Sequence, residues 1–91
     1  MLIVQKFGGT SVGDIKRIKN VAQKVINELD KKNKVIVVVS AMSGVTNQLV
    51  DYCQQVSSLL NPESLAEYDS VVSSGEQVTS GILALELQSL G

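Results

Sequence analysis

The sequence predicts an α/β fold that opens with a strand–helix–strand unit on a parallel sheet. Three stretches carry that expectation. Leu2 to Phe7 is a short run led by apolar residues, and reads as a strand. From Ile15 onward, apolar residues fall at Ile15, Ile18, Val21, Ala22, Val25, Ile26 and Leu29, which is the spacing of one helix face. Lys34 to Ser40 then encloses Val35-Ile36-Val37-Val38-Val39, β-branched throughout and without polar alternation. Such a run predicts a strand buried on both faces, as in a parallel sheet covered by helices. Joined through the helix, the two strands are expected to be parallel, with a right-handed crossover.

The remaining elements follow in order. Asp14 suits the N-cap of the first helix, and Lys31-Lys32-Asn33 closes it with cations at its negative end. Ala41 to Val45 is a loop at the carboxyl end of the second strand. Thr46 can cap a second helix, whose apolar face is Leu49, Val50, Cys53, Val56 and Leu60. Asn61-Pro62 is a stop-and-restart signal, with Asn61 as cap and Pro62 in the first turn. A third helical stretch runs from about Glu63, weakens at Ser73-Ser74-Gly75, and resumes through Ile82, Leu83, Leu85, Leu87 and Leu90 to a terminal Gly91. Two strands are too few for a doubly covered sheet, and helical surface is in excess. The chain is therefore expected to be the first part of a larger α/β domain.

Composition narrows the function. Ninety-one residues make at most one small domain. Eight basic and nine acidic residues nearly balance, and aromatics are 3% of the chain, so nucleic acid is not expected as a partner. The chain has no histidine, which excludes histidine acid–base catalysis and histidine metal ligation. Its single cysteine, Cys53, cannot form an internal disulfide and reads as a small buried apolar residue. The N-terminus lacks a signal-peptide pattern, and Val35–Val39 is too short to span a membrane, so a cytoplasmic location is expected.

Three polar clusters share one structural address. Lys6-Phe7-Gly8-Gly9-Thr10-Ser11 leaves the first strand and precedes a helix. Glycines let backbone N–H groups approach a ligand closely, a helix N-terminus adds partial positive charge, and the lysine adds a full one. That combination suits a polyphosphate, although Gly-Gly is also a common turn. Ser40 to Thr46 follows the second strand, and in open α/β sheets ligands bind outside the carboxyl ends of strands, so both loops should line one crevice. Ser73-Ser74-Gly75-Glu76 is the third cluster. A helix break there would aim the Glu76 carboxylate into a cavity; an exposed glutamate beside a kink fits the same residues equally. The sequences G-x-x-x-x-G-K-[ST] and G-x-G-x-x-G are both absent, so a phosphate site here is of another kind.

Lys6-Phe7-Gly8-Gly9-Thr10-Ser11-Val12, Val39-Ser40-Ala41-Met42-Ser43-Gly44-Val45-Thr46-Asn47 and Ser74-Gly75-Glu76 resemble, in order, the three N-terminal signatures of the aspartate kinase (aspartokinase) family, within the amino-acid kinase superfamily. The resemblance covers essentially the whole chain. It implies a three-layer α/β/α, carbamate-kinase-like domain, of which residues 1–91 would be the N-terminal part. The implied activity is transfer of the ATP γ-phosphate to the β-carboxylate of L-aspartate. That is the first step toward lysine, threonine, methionine and diaminopimelate, and residues 1–91 alone are expected to be inactive. It further implies that Lys6 is catalytic and contacts the transferring phosphates. Phe7, Gly8 and Gly9 belong to the phosphate-binding turn, Ser40 lies near phosphates and substrate, and Thr46 and Glu76 hold aspartate. ATP and Mg²⁺ are the implied cofactors, the metal being held mainly by ATP and by residues outside 1–91. A homo-oligomer is expected separately, from the apolar surface and unpaired strand edges that two strands leave uncovered. The competing readings are a kinase acting on glutamate or acetylglutamate, and a non-catalytic anion-binding or interaction module.

Overall fold

The computed structural model describes residues 1–57 and 62–91. Its elements run β1 (Leu2–Phe7), α1 (Ile15–Asp30), β2 (Lys34–Val39), α2 (Val45–Val56) and α3 (Pro62–Leu90). The strands pair in parallel, with Lys6 opposite Val38 and Phe7 opposite Val39. The expected strand–helix–strand unit is therefore present. Leu60 and Asn61, expected at a helix face and a cap, lie outside the described residues.

α1 forms where the spacing placed it. Asp14 is its N-cap, with Oδ1 accepting the Arg17 N–H at 2.9 Å. Ile18, Val21, Ala22 and Val25 are its buried stripe, while Ile15 and Leu29 at the two ends are exposed. The helix stops by a left-handed turn at Lys32 (φ 64°). The Lys32 and Asn33 N–H groups return to the Leu29 and Glu28 carbonyls, the paired bonds of a Schellman ending.

The core gathers Val12, Ile18, Val21, Ala22 and Leu83, with Phe7, Val37, Val39, Met42, Ile82 and Leu87 packed on it. Helices α1 and α3 thus cover one face of the sheet. The other face is bare. Leu2, Val4, Ile36 and Val38 are exposed there, beside Lys6 and Lys34. β2 was expected to be buried on both faces, yet it alternates between half-buried and exposed. Its β-branched side chains suit two covered faces, and the described residues cover one.

Two further expectations need correction. Thr46 does not cap α2: the N-cap is Gly44, in the left-handed region at φ 78°, with no side-chain cap. The Val45 N–H returns to Met42 and that of Gln48 to Gly44, so the backbone closes the turn itself. The helix also does not break at Ser73-Ser74-Gly75, because α3 is continuous from Pro62 to Leu90. There the Ser73 and Ser74 hydroxyls bond back to the Ser70 and Val71 carbonyls of their own helix. Gly75 is buried where α3 meets α2, and a Cβ on it would come within 3.0 Å of Val45 Cγ1 and 3.1 Å of Ala41 Cβ. It is a point of close helix approach, not a hinge. On α2, Cys53 is buried as expected, whereas Val56 is exposed. Among the described residues no helix is long and apolar enough to cross a membrane.

Candidate functional site

β1 and β2 run parallel, so the loops that leave them emerge at the same end of the sheet, as anticipated for a ligand crevice. A cavity of about 400 Å³ opens there, lined by Gly9 and Thr10 from the first loop and Ser40 to Gly44 from the second. Thr46 and Asn47 from α2 and Glu76 from α3 complete it. Residues expected to matter from three separate parts of the sequence, namely Gly9, Ser40, Thr46 and Glu76, thus share one wall.

Each is placed by a local cause. Ser40 is the first residue past β2, and its N–H extends the ladder to the Phe7 carbonyl at 3.1 Å. Because Gly44 takes the capping position, Thr46 lies in the first turn of α2 with its side chain on the cavity wall. Glu76 follows the close contact at Gly75, so the residue that seats α3 against α2 also sets the carboxylate beside the second loop. Its arrival depends on a continuous helix. Gly8 lies in the first loop but does not line the cavity, and Lys6 and Phe7 end β1 just before it. Phe7 packs on the core, whereas Lys6 is exposed on the bare face with no hydrogen bond or ion pair among the described residues.

The first loop is internally bonded. The Gly8 carbonyl accepts the Ser11 and Val12 N–H groups at 3.0 and 3.2 Å. Two side chains given no individual role by the sequence also touch it. Arg17 Nη1 donates to the Thr10 carbonyl at 2.8 Å, and Ser43 Oγ donates to the Gly9 carbonyl at 3.2 Å. Arg17 reads from sequence as a solvated residue of α1, and its bond to a loop carbonyl leaves no pattern in the sequence. Gly13 does carry a signal, because a glycine just ahead of a helix cap can mark a close approach. A Cβ there would lie 2.8 Å from Ser43 Oγ.

The cavity's donors are hydroxyls, an amide side chain and backbone, with one carboxylate, Glu76. Among the described residues no group of three or more acidic, cysteine or histidine side chains could hold a metal ion. Mg²⁺ is usually held by one or two carboxylates together with substrate phosphates, so Glu76 alone makes no closed cage for it. What the site can do is hold an anion at the glycine turn and a cationic group at Glu76, side by side.

Comparison with known proteins bears on the family. The family model described as "Amino acid kinase family" matches residues 1–91. The aspartokinase of Rickettsia felis is 62% identical over 87 residues, which are 96% of this chain and 22% of that protein. The crystal structure of aspartate kinase from Synechocystis superposes with a TM-score of 0.91 at 49% identity, covering 99% of this chain and 15% of that one. E. coli aspartokinase III, in complex with aspartate and ADP, gives a TM-score of 0.52 at 31% identity, covering 81% of this chain and 15% of that one. The chain thus spans about a fifth of the curated relative's length.

Proposed function

The chain belongs to the amino acid kinase family, and we propose that it is the N-terminal part of the catalytic domain of an aspartate kinase. In this reading the complete protein transfers the γ-phosphate of ATP to the β-carboxylate of L-aspartate in the cytoplasm. The product, 4-phospho-L-aspartate, leads toward lysine, threonine, methionine and diaminopimelate. The observation that carries it is the single cavity shared by the glycine turn, Ser40, Thr46 and Glu76. The relative solved with aspartate and ADP supports the choice of substrates.

The chemistry suits these residues. A β-carboxylate with an unperturbed pKa near 3.9 is already ionised at neutral pH, so the acceptor needs no general base. A chain without histidine is not handicapped by that. What remains is to align donor and acceptor and to place positive charge where the phosphoryl group moves. Lys6 supplies that charge from the end of β1, and the amides of the glycine turn cradle the phosphates. Ser40 stands between phosphate and acceptor, while Thr46 and Glu76 take aspartate, Glu76 facing its ammonium group. With no carboxylate cluster among the described residues, Mg²⁺ enters this reading as the partner of ATP and not as an ion these residues hold.

The test is ADP release by the complete protein with aspartate, glutamate, N-acetylglutamate or no acceptor. Turnover that depends on aspartate and is weak with the other two is expected. Faster turnover with either competitor, or ADP release indifferent to acceptor, overturns the assignment.

A further inference from the structure

The glycine turn is held from outside on two sides, and the bonds fall on consecutive carbonyls. Ser43, from the loop after β2, donates to the Gly9 carbonyl; Arg17, from the first turn of α1, donates to the Thr10 carbonyl. The Gly8 carbonyl is taken within the turn by the Ser11 and Val12 N–H groups. Three carbonyls in a row are therefore occupied, while the N–H groups of Gly9 and Thr10 meet no acceptor among the described residues. A trans peptide is planar, with its C=O and the following N–H pointing opposite ways. Fixing the Gly8 carbonyl thus fixes the Gly9 N–H, and fixing the Gly9 carbonyl fixes the Thr10 N–H. Arg17 acts one step back: holding the Thr10 carbonyl fixes the Ser11 N–H, which is the group that holds the Gly8 carbonyl.

Gly13 belongs to the same device. A side chain there would place Cβ 2.8 Å from Ser43 Oγ and 3.3 Å from both the Gly9 and Thr10 carbonyl oxygens. Only glycine leaves room for the serine to reach the turn. We infer that Ser43 and Arg17 are positioning residues: they lock the peptide planes of the turn so that the Gly9 and Thr10 N–H groups stand ready for the nucleotide's phosphates. Neither acts on the phosphates itself. The inference rests on the kinase reading for the identity of the anion, and on the bonds above for the mechanism.

The test measures binding of AMP-PNP, a non-hydrolysable ATP analogue, by calorimetry on the complete protein, and the KM for each substrate. Ser43→Ala should weaken AMP-PNP by about 3- to 10-fold, the effect of one lost hydrogen bond, and shift the KM for aspartate less than twofold. Gly13→Ala, which adds no group near substrate but displaces Ser43, should reproduce that loss. The double variant should be no worse than Gly13→Ala alone, because the two changes break one bond. Arg17→Met should also weaken AMP-PNP, and Arg17→Lys should recover part of the loss. Unchanged affinity in Ser43→Ala overturns the inference, as does a double variant whose losses multiply. The binding arm needs no acceptor, so the two readings fail separately. A wild type that binds AMP-PNP without phosphorylating aspartate refutes the substrate assignment, and the fold-changes still judge the clamp. A wild type that does not bind AMP-PNP refutes both.

Discussion

Replacing Gly75 with alanine should destabilise the chain, whereas the same change at Gly81, further along the same helix, should stabilise it. Both glycines lie inside α3, where exchanging glycine for alanine gains about 0.8–1 kcal/mol of helix propensity. At Gly81 nothing lies within 4 Å of the added carbon and the position is exposed, so the gain survives whole. At Gly75 the carbon would sit 3.0 Å from Val45 Cγ1, 3.1 Å from Ala41 Cβ and 3.3 Å from Leu49 Cδ1. Optimal carbon–carbon separations are about 3.5–4.0 Å, so α2 and the loop before it must retreat on three sides at once. Overpacking of that kind costs about 1–3 kcal/mol. It outweighs the propensity gain, and the two variants should differ by the overpacking cost itself.

For a chain of this size each kcal/mol moves the melting midpoint by about 4–8 °C. The Gly81→Ala variant should therefore melt above wild type and the Gly75→Ala variant at or below it, at least about 4 °C apart. Far-UV circular dichroism melts at matched protein concentration are sufficient, because the comparison is between variants. Equal upward shifts would refute the reasoning, since they would mean that α2 yields freely and that Gly75 is not a packing contact.

The remaining predictions concern the site and the bare sheet face. Lys6→Ala in the complete protein should lower kcat by about 10²- to 10³-fold, the scale for losing one preorganised electrostatic contact; near-normal turnover in steady-state assays counts against a phosphate role. Glu76→Gln keeps the shape but removes the charge, and should raise the KM for aspartate by roughly tenfold while leaving that for ATP nearly unchanged, in line with the loss of a charge-assisted bond. If the ATP constant moves instead, Glu76 is not on the acceptor side. Residues 1–91 on their own should show no aspartate kinase activity and should self-associate through Leu2, Val4, Ile36 and Val38, which are exposed on one sheet face. Light scattering that finds a monodisperse monomer, or an Ile36→Lys variant as associated as wild type, would show that this face is not the cause.

Much of this architecture was legible because local rules and packing agree. The α1 stripe, the Asp14 cap and the parallel pairing follow from spacing and from the strand–helix–strand order. The face exposure of β2 did not, for a physical reason. Val35 to Val39 is β-branched and apolar along its whole length, so the sequence holds no polar alternation to say which face is covered. The clamp on the glycine turn was equally silent. A bond from Ser43 to Gly9 joins residues 34 positions apart through a backbone oxygen, and every residue type offers that oxygen alike.

The placement of Glu76 shows how a local rule can point to a cavity-wall residue by the wrong route. Two serines and a glycine inside a helix are a weakness by propensity, and a break was expected to turn the carboxylate into a cavity. The serines instead return their hydroxyls to their own helix, and the glycine meets a neighbour that tolerates no side chain. The propensity loss at Gly75, about 1 kcal/mol, is offset by apposition of α3 to Ala41, Val45 and Leu49. That apposition carries the next residue, Glu76, to the cavity wall. A break would have freed Glu76 from the contact that positions it, so the helix must stay whole for the site to exist.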